Sequence, residues 1–212
     1  MEFWFATGNS GKLAEYKVLL QDLTSQGKVQ IRHQNEIPGF TARPEDGKTF
    51  SDNATIKAKT LAAVKNTHYV FGEDSGLEVF AMDGLPGIHS ARYAGPKARD
   101  SENLAKLLKM MQIKAIQDRS ARFFTALTVY TPTGDIWKFE GEMKGTISKT
   151  PSGQMGFGYD PVFVPEIQPE PGMSKTLAEL GPGFKVQHSH RAIAFKQFLT
   201  RFKEQTTEGG SK

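Results

Sequence analysis

Four short polar segments carry the residue types that could handle a polyphosphate and a cation. The first is Thr7-Gly8-Asn9-Ser10-Gly11-Lys12, which follows an apolar run and precedes a helical pattern. Glycines at a strand-to-helix turn let backbone N–H groups approach an anion, and the helix N-terminus favours negative charge. Lys12 in the first turn can reach a phosphate oxygen. This is not a Walker A loop, because Ala6 stands where its first glycine belongs and Leu13 replaces Ser or Thr. The alternative is an ordinary turn with Asn9 as the helix cap.

The second segment, Glu73-Asp74-Ser75-Gly76, follows the apolar run Tyr69-Val70-Phe71. The ends of strands are where open α/β sheets place their ligands. Adjacent carboxylates alternate sides if a strand continues through them, so one of the two faces the site. Carboxylate oxygens are hard ligands suited to Mg²⁺, which binds one or two of them together with substrate phosphates. Glu45, in Pro44-Glu45-Asp46-Gly47, is a second candidate from another loop. A solvated acidic turn is the competing reading.

In the third, Gly153 to Pro161, the spacing G-x-x-G-x-G reverses the dinucleotide fingerprint, which excludes a Rossmann reading. Phe157 and Tyr159 could stack on a base while Gly156 and Gly158 let backbone come close; otherwise they are core aromatics beside a turn. The fourth comprises Lys185 and Ser189-His190-Arg191, cations at a helix start that suit a phosphate or a base edge. The five histidines, at 33, 68, 89, 188 and 190, form no His-Glu-x-x-His pattern, and no Gly-x-Ser-x-Gly elbow exists. With no cysteine, thiolate catalysis, disulfides and Cys-ligated zinc are excluded, and a reducing cytoplasm is the expected compartment.

These segments need a scaffold. The 212 residues are 38% apolar and 24% charged, a globular composition long enough for one sizeable core. No apolar run reaches the ~18 residues of a membrane span, and no signal peptide is read at the start. Net charge is +4 without a block of like charges, so nucleic-acid binding is not indicated and a small anionic ligand fits equally well. Strands are expected at Phe3–Ala6, Val29–Arg32 and Tyr69–Phe71, the last ending in a polar turn at Glu73–Gly76. A helix should carry Leu13, Tyr16, Leu19, Leu20 and Leu23 on one face. A second should bury Ala54, Ala58, Leu61 and Ala62 behind a Ser51 or Asp52 cap. A third, capped by Asp100, carries Leu104, Leu107, Leu108 and Met111. Phe123–Tyr130 and Ile136–Glu142 flank Pro132-Thr133-Gly134 as a hairpin, and His190–Lys203 closes the chain as a helix. The pattern is one α/β domain, residues 1–212, with a mixed sheet and a frayed tail from about 206 to 212.

In order and content the segments resemble the inosine triphosphate pyrophosphatase family. The matching stretches are Thr7-Gly8-Asn9-x-x-Lys12, Glu45-x-Gly47-x-Thr49-Phe50, Asn53-Ala54-x-x-Lys57-Ala58 and Glu73 to Val79. They continue through Gly84-x-Pro86-Gly87, Ser90-Ala91-Arg92-Tyr93-x-Gly95, Gly156 to Pro161, Ala178-Glu179-Leu180, Lys185 and Ser189 to Ala192, covering about Phe3 to Leu199. The resemblance implies Mg²⁺-dependent cleavage of non-canonical purine nucleoside triphosphates (ITP, dITP, XTP) into the monophosphate and pyrophosphate. It also implies an elongated, twisted mixed sheet with two lobes around a central cleft, in a cytoplasmic homodimer. On this pattern Thr7, Gly8, Asn9, Ser10, Gly11 and Lys12 hold the triphosphate, Asp74 accepts the proton, and Glu45 with Asp74 binds the metal. Ser75, Phe157, Gly158, Tyr159, Asp160, Lys185, His190 and Arg191 contact substrate. Glu73 departs from the aspartate usual in bacterial members; its added methylene shifts the carboxylate by about 1.5 Å, and it is left out of the metal set. Two rivals stand beside this reading. One is a pyrophosphatase for other modified or canonical nucleotides. The other is a basic nucleic-acid binder without catalysis, against which the carboxylates at the phosphate site argue.

Overall fold

The computed structural model describes residues 1–208. Its strands are β1 (Glu2–Phe5), β2 (Gln30–His33), β3 (Tyr69–Val79), β4 (Ser120–Tyr130), β5 (Ile136–Ile147) and β6 (Phe163–Pro165). They form one sheet in the order β2-β1-β3-β4-β5-β6. β1 is parallel to both β2 and β3, with Phe3 opposite Tyr69 and Phe5 opposite Phe71, and β6 is antiparallel to β5. The helices are α1 (Ser10–Leu19), α2 (Gln21–Ser25), α3 (Phe50–Ala62), α4 (Asp100–Ile113), α5 (Leu177–His188) and α6 (His190–Glu208). The α/β class and the mixed sheet with flanking helices are as the sequence patterns predict.

The described chain divides into two compact units. The first holds Met1–Asp74, Thr125–Gly141 and the chain from His190 onward; the second holds Ser75–Phe124 and Glu142–Ser189. The first has an aromatic core. Phe5 stacks on Phe71 at 4.6 Å and on Tyr16 at 4.4 Å between ring centroids, and Phe195 and Phe198 of α6 lie within 6 Å of Phe71. Such pairs add about 0.5–1.5 kcal/mol each beyond their buried area, and here they fasten α1 and α6 to the strands. In the second unit Leu77, Val79, Leu104, Leu107, Met111, Phe123 and Phe163 form the core. Of the α4 stripe, Leu104, Leu107 and Met111 are buried and Leu108 packs half-buried against them.

Several local expectations are corrected. Glu73–Gly76 is not a turn: β3 runs through it without a break to Val79, because Leu77 and Val79 continue the buried strand. The single helix expected over Leu13 to Leu23 is two, broken where Leu20 leaves helical dihedrals (φ −100°, ψ 7°) and enters the core. α3 is capped by Thr49, not Ser51 or Asp52. Thr49 Oγ1 accepts the Asp52 N–H and Asp52 Oδ2 accepts the Thr49 N–H, both at 3.1 Å, a reciprocal box. The cap of α4 is Arg99, whose N–H donates to Glu102 Oε2 at 2.7 Å, so Asp100 is the first helical residue and not the cap. The hairpin closes through Thr131 and Asp135, as read. α6 extends through Thr206 to Glu208, and the rest of the tail expected to fray lies outside the described residues. α2, β6 and α5 were not foreseen.

Candidate active site

Strand β3 sorts the two acidic residues by its pleat. Phe71 and Glu73 share the face covered by α1 and α6; Gly72 and Asp74 share the face covered by α3. Tyr16, packed on Phe5, donates its hydroxyl to Glu73 Oε2. Arg191, near the start of α6, donates from Nε to both Glu73 oxygens at 3.2 Å and from Nη2 to Oε1 at 2.9 Å. Thr125 Oγ1 donates to Oε1 at 3.0 Å, and Lys12 Nζ lies 3.5 Å from it. The other end of Arg191 pairs with Glu15. Burial alone would push the Glu73 carboxyl up, but the charges of Arg191 and Lys12, with the donors of Arg191 and Tyr16, hold it well below the usual carboxylate range. Arg191 is pushed further up: burial opposes its charge, and Glu73 and Glu15 outweigh burial.

On the opposite face Asp74 meets α3. Asn53 and Lys57 lie one turn apart on the helix face that also buries Ala54 and Ala58. Asn53 Nδ2 donates to Asp74 Oδ2 at 3.1 Å, while Asn53 Oδ1 accepts the Gly47 N–H at 2.9 Å. Gly47 has to be glycine for space, since a Cβ there would come within 2.7 Å of Asn53 Oδ1. Two residues upstream of this pinned point, Glu45 contacts Lys57 Nζ at 2.8 Å; the same ammonium lies 3.2 Å from Asp74 Oδ1 and donates to the Glu73 carbonyl at 3.1 Å. Carboxylates from two distant stretches thus meet on one cation. Asp74 is pushed up from the ordinary aspartate value, because burial outweighs the pull of Lys57 and Lys12. Lys57 is raised: its burial is outweighed by Asp74 and Glu45.

The Thr7–Lys12 turn is exposed at Gly8, Asn9 and Ser10. Thr7 Oγ1 accepts the Asn9 N–H at 3.1 Å, and Asn9 Oδ1 accepts the Lys12 N–H at 3.0 Å, so Asn9 is the cap of α1, with Ser10 and Gly11 opening the helix. Glu45, Asp74, Arg191 and buried His190 lie with this turn in the first unit. The remaining candidates belong to the second. Ser75 is the next residue of β3 after Asp74. Asp160 and Lys185, both buried, pair at 2.7 Å. Asp160 Oδ2 also accepts the Phe157 N–H at 2.9 Å, and the Lys185 ammonium sits 4.5 Å from the centre of the Phe157 ring. Tyr159 is a core residue whose hydroxyl donates to the Ser90 carbonyl at 2.9 Å; burial, then Tyr93 and Asp100, raise its pKa.

The sequence reading gave no role to Tyr16, Glu15, Asn53, Lys57 or Thr125. Asn53 and Lys57 carried a signal, a polar pair four apart on an alanine-lined helix face, and both stand in the quoted motif. Thr125 and Tyr16 carried none, because each reads as an ordinary core position of its element.

Among the described residues no group of three or more His, Asp or Glu side chains is arranged to hold an ion. Glu45 and Asp74 are nonetheless drawn to a common cation, the Lys57 ammonium, which stands in for one. Two carboxylate ligands completed by water and phosphate oxygens is a set that suits Mg²⁺.

Known proteins add the following. A sequence model of the Ham1 family matches residues 3–201. A dITP/XTP pyrophosphatase of Bdellovibrio bacteriovorus is 59% identical over 201 residues, 95% of this chain and 97% of that protein. The structure of the Staphylococcus aureus Ham1 protein superposes with TM-score 0.80 at 35% identity, covering 97% of this chain and 100% of its own. That of a HAM1 protein from Coxiella burnetii gives 0.81 at 35%, covering 96% and 99%. Among the described residues no helix is long and apolar enough to cross a membrane.

Proposed function

Since the chain belongs to the Ham1 family, we propose that it hydrolyses non-canonical purine nucleoside triphosphates such as dITP, ITP and XTP at the α–β anhydride. Water supplies an oxygen to one phosphorus, and the products are the nucleoside monophosphate and pyrophosphate. The observation that carries this reading is the meeting of Glu45 and Asp74 on Lys57, supported by the relatives named dITP/XTP pyrophosphatases.

In this reading Glu45 and Asp74 hold Mg²⁺. When bound, Mg²⁺ screens phosphate charge and acidifies a water. Asp74 would accept the proton at Oδ1 or Oδ2; before any ion binds, burial holds its pKa above the ordinary aspartate value. Asn53 fixes the rotamer of that carboxylate through Oδ2. Lys57 screens the repulsion between the two carboxylates. Lys12 and the Thr7–Lys12 turn serve the triphosphate, and Arg191, neutralised by Glu73 and Glu15, holds the start of α6 and its His190 against β3.

We assign the base to Phe157–Asp160 with Lys185. Lys185 is a pure donor that bonds Asp160 at 2.7 Å and lies over the Phe157 ring. A 6-oxo purine offers such a donor an acceptor. Adenine's amino group would oppose donor with donor, a mismatch worth 10²-fold or more, on the order of buried unpaired groups. A homodimer in the cytoplasm completes the proposal; its support is the family resemblance, and sedimentation against the 23.4 kDa chain mass checks the dimer.

Initial rates on dITP, XTP, ITP, ATP and GTP, with and without Mg²⁺, test the assignment. Turnover of the 6-oxo substrates dITP, ITP and XTP well above ATP is expected, and loss of it on chelation. ATP hydrolysed as fast as dITP would overturn the base assignment, and full activity in a chelator would overturn the metal.

A further inference from the structure

The loop Phe157–Asp160 is held by more than its own residues. Asp160 Oδ2 accepts the Phe157 N–H, and the Asp160 N–H donates to the Phe157 carbonyl at 3.2 Å, so the loop closes on itself. Gly158 sits at φ +63°, a left-handed backbone that favours glycine, and a Cβ there would meet nothing within 4 Å. The conformation, not lack of room, calls for glycine. Its N–H points away from the loop's own acceptors and donates to Asp100 Oδ2 at 2.7 Å, across 58 residues of sequence.

Asp100 is at the first turn of α4, where an aspartate ordinarily satisfies its own helix's N–H groups. Here Glu102 closes the cap of that helix through the Arg99 N–H, and the Asp100 carboxylate reaches outward to Gly158. The base of α4 is itself fixed. Buried Asn103 accepts the Ala94 N–H at 2.7 Å and donates to the Ala91 carbonyl at 3.1 Å, tying the helix to the segment that follows Ser90. Ser90 in turn receives the Tyr159 hydroxyl on its carbonyl and accepts the Leu77 N–H on Oγ at 2.9 Å. Two consecutive loop residues, Gly158 and Tyr159, are therefore gripped by elements anchored to the same core.

We propose that Asp100 is a positioning residue for nucleotide recognition, holding the Gly158 amide so that Phe157 is presented to the purine in one fixed orientation. This rests on the assignment of Phe157–Asp160 to the base. A loop left to find its orientation on binding weakens substrate capture without touching the phosphate chemistry, so the effect falls on KM and not on kcat.

The test compares Asp100→Ala, Asp100→Asn and Glu102→Ala by dITP kinetics, together with backbone amide hydrogen exchange over residues 156–160. Asp100→Ala is expected to raise KM about tenfold, the scale of one lost charge-assisted hydrogen bond, with kcat within about twofold and faster exchange at Gly158. Asp100→Asn retains an acceptor and should recover most of the KM. Glu102→Ala, which loosens the helix cap alone, should leave KM near wild type. A KM unchanged by Asp100→Ala in an active enzyme, or an equal rise in Glu102→Ala, overturns the proposal alone. Wild-type protein that turns over none of the triphosphates overturns the functional reading, and this proposal with it.

Discussion

Glu73 and Asp74 are neighbours in the chain, yet their carboxylates face opposite sides of β3, one toward Arg191 of α6 and the other toward Lys57 of α3. The division separates two tasks. Glu73 is saturated by Arg191, Tyr16, Thr125 and Lys12, an arrangement that anchors helices. Asp74 has two partners on the α3 side and shares one of them with Glu45, an arrangement a metal or a substrate can enter.

Lys57 is the cation that both carboxylates of the metal pair contact. Lys57→Gln removes the charge and leaves Glu45 and Asp74 repelling each other across a half-buried space. Breaking such a pair costs about 3 kcal/mol when the partner charge is buried. Urea denaturation without metal should show a loss of that order, and added Mg²⁺ should recover more stability in the variant than in the wild type.

The depressed pKa of Glu73 sets an acid limit. Its folded carboxyl stays ionised at a pH where the unfolded one, near about 4.3, takes up a proton. The stability it contributes is therefore present above that value and is lost as pH falls through the folded pKa. The free energy of unfolding should fall steeply for wild type in this acid window. Glu73→Gln should be less stable at neutral pH and flatter below pH ~4.

Tyr16 joins the core to the ion-pair network, its ring on Phe5 and its hydroxyl on Glu73. Tyr16→Phe keeps the ring and removes one donor to a charged acceptor, a loss of about 2 kcal/mol. Tyr16→Ala adds a cavity and should lose about 3–5 kcal/mol. Thermal unfolding of the two variants separates the hydroxyl from the ring.

The fold class, the starts of β3 and β5 and the inward faces of α3 and α4 were legible because their apolar spacing is regular. Glu73–Gly76 misled because polar residues in sequence resemble a turn; partners more than fifty residues away (Tyr16, Thr125, Arg191) keep the strand intact there. Asn9 caps α1 as the ordinary-turn reading had it, but the caps of α3 and α4 were misplaced by one to three residues, since Thr49 and Arg99 act through reciprocal bonds to the third helical residue that composition alone does not single out. The ordered motifs named the family, which the matches with known proteins bear out. The partners of the acidic residues were harder: Asn53 and Lys57 stand out as a polar pair on an alanine-lined face but show their partner only when β3 is set against α3, and Tyr16 and Thr125 read as ordinary core positions.

The most direct test of the account is pyrophosphate release from dITP by wild type and by Asp74→Asn, two proteins with matching circular dichroism. The account predicts dIMP and pyrophosphate from the wild type, with kcat lower by about 10³-fold in the variant, within the range of a lost general base. Orthophosphate and dIDP as products, or an Asp74→Asn variant within threefold of wild type, would contradict it.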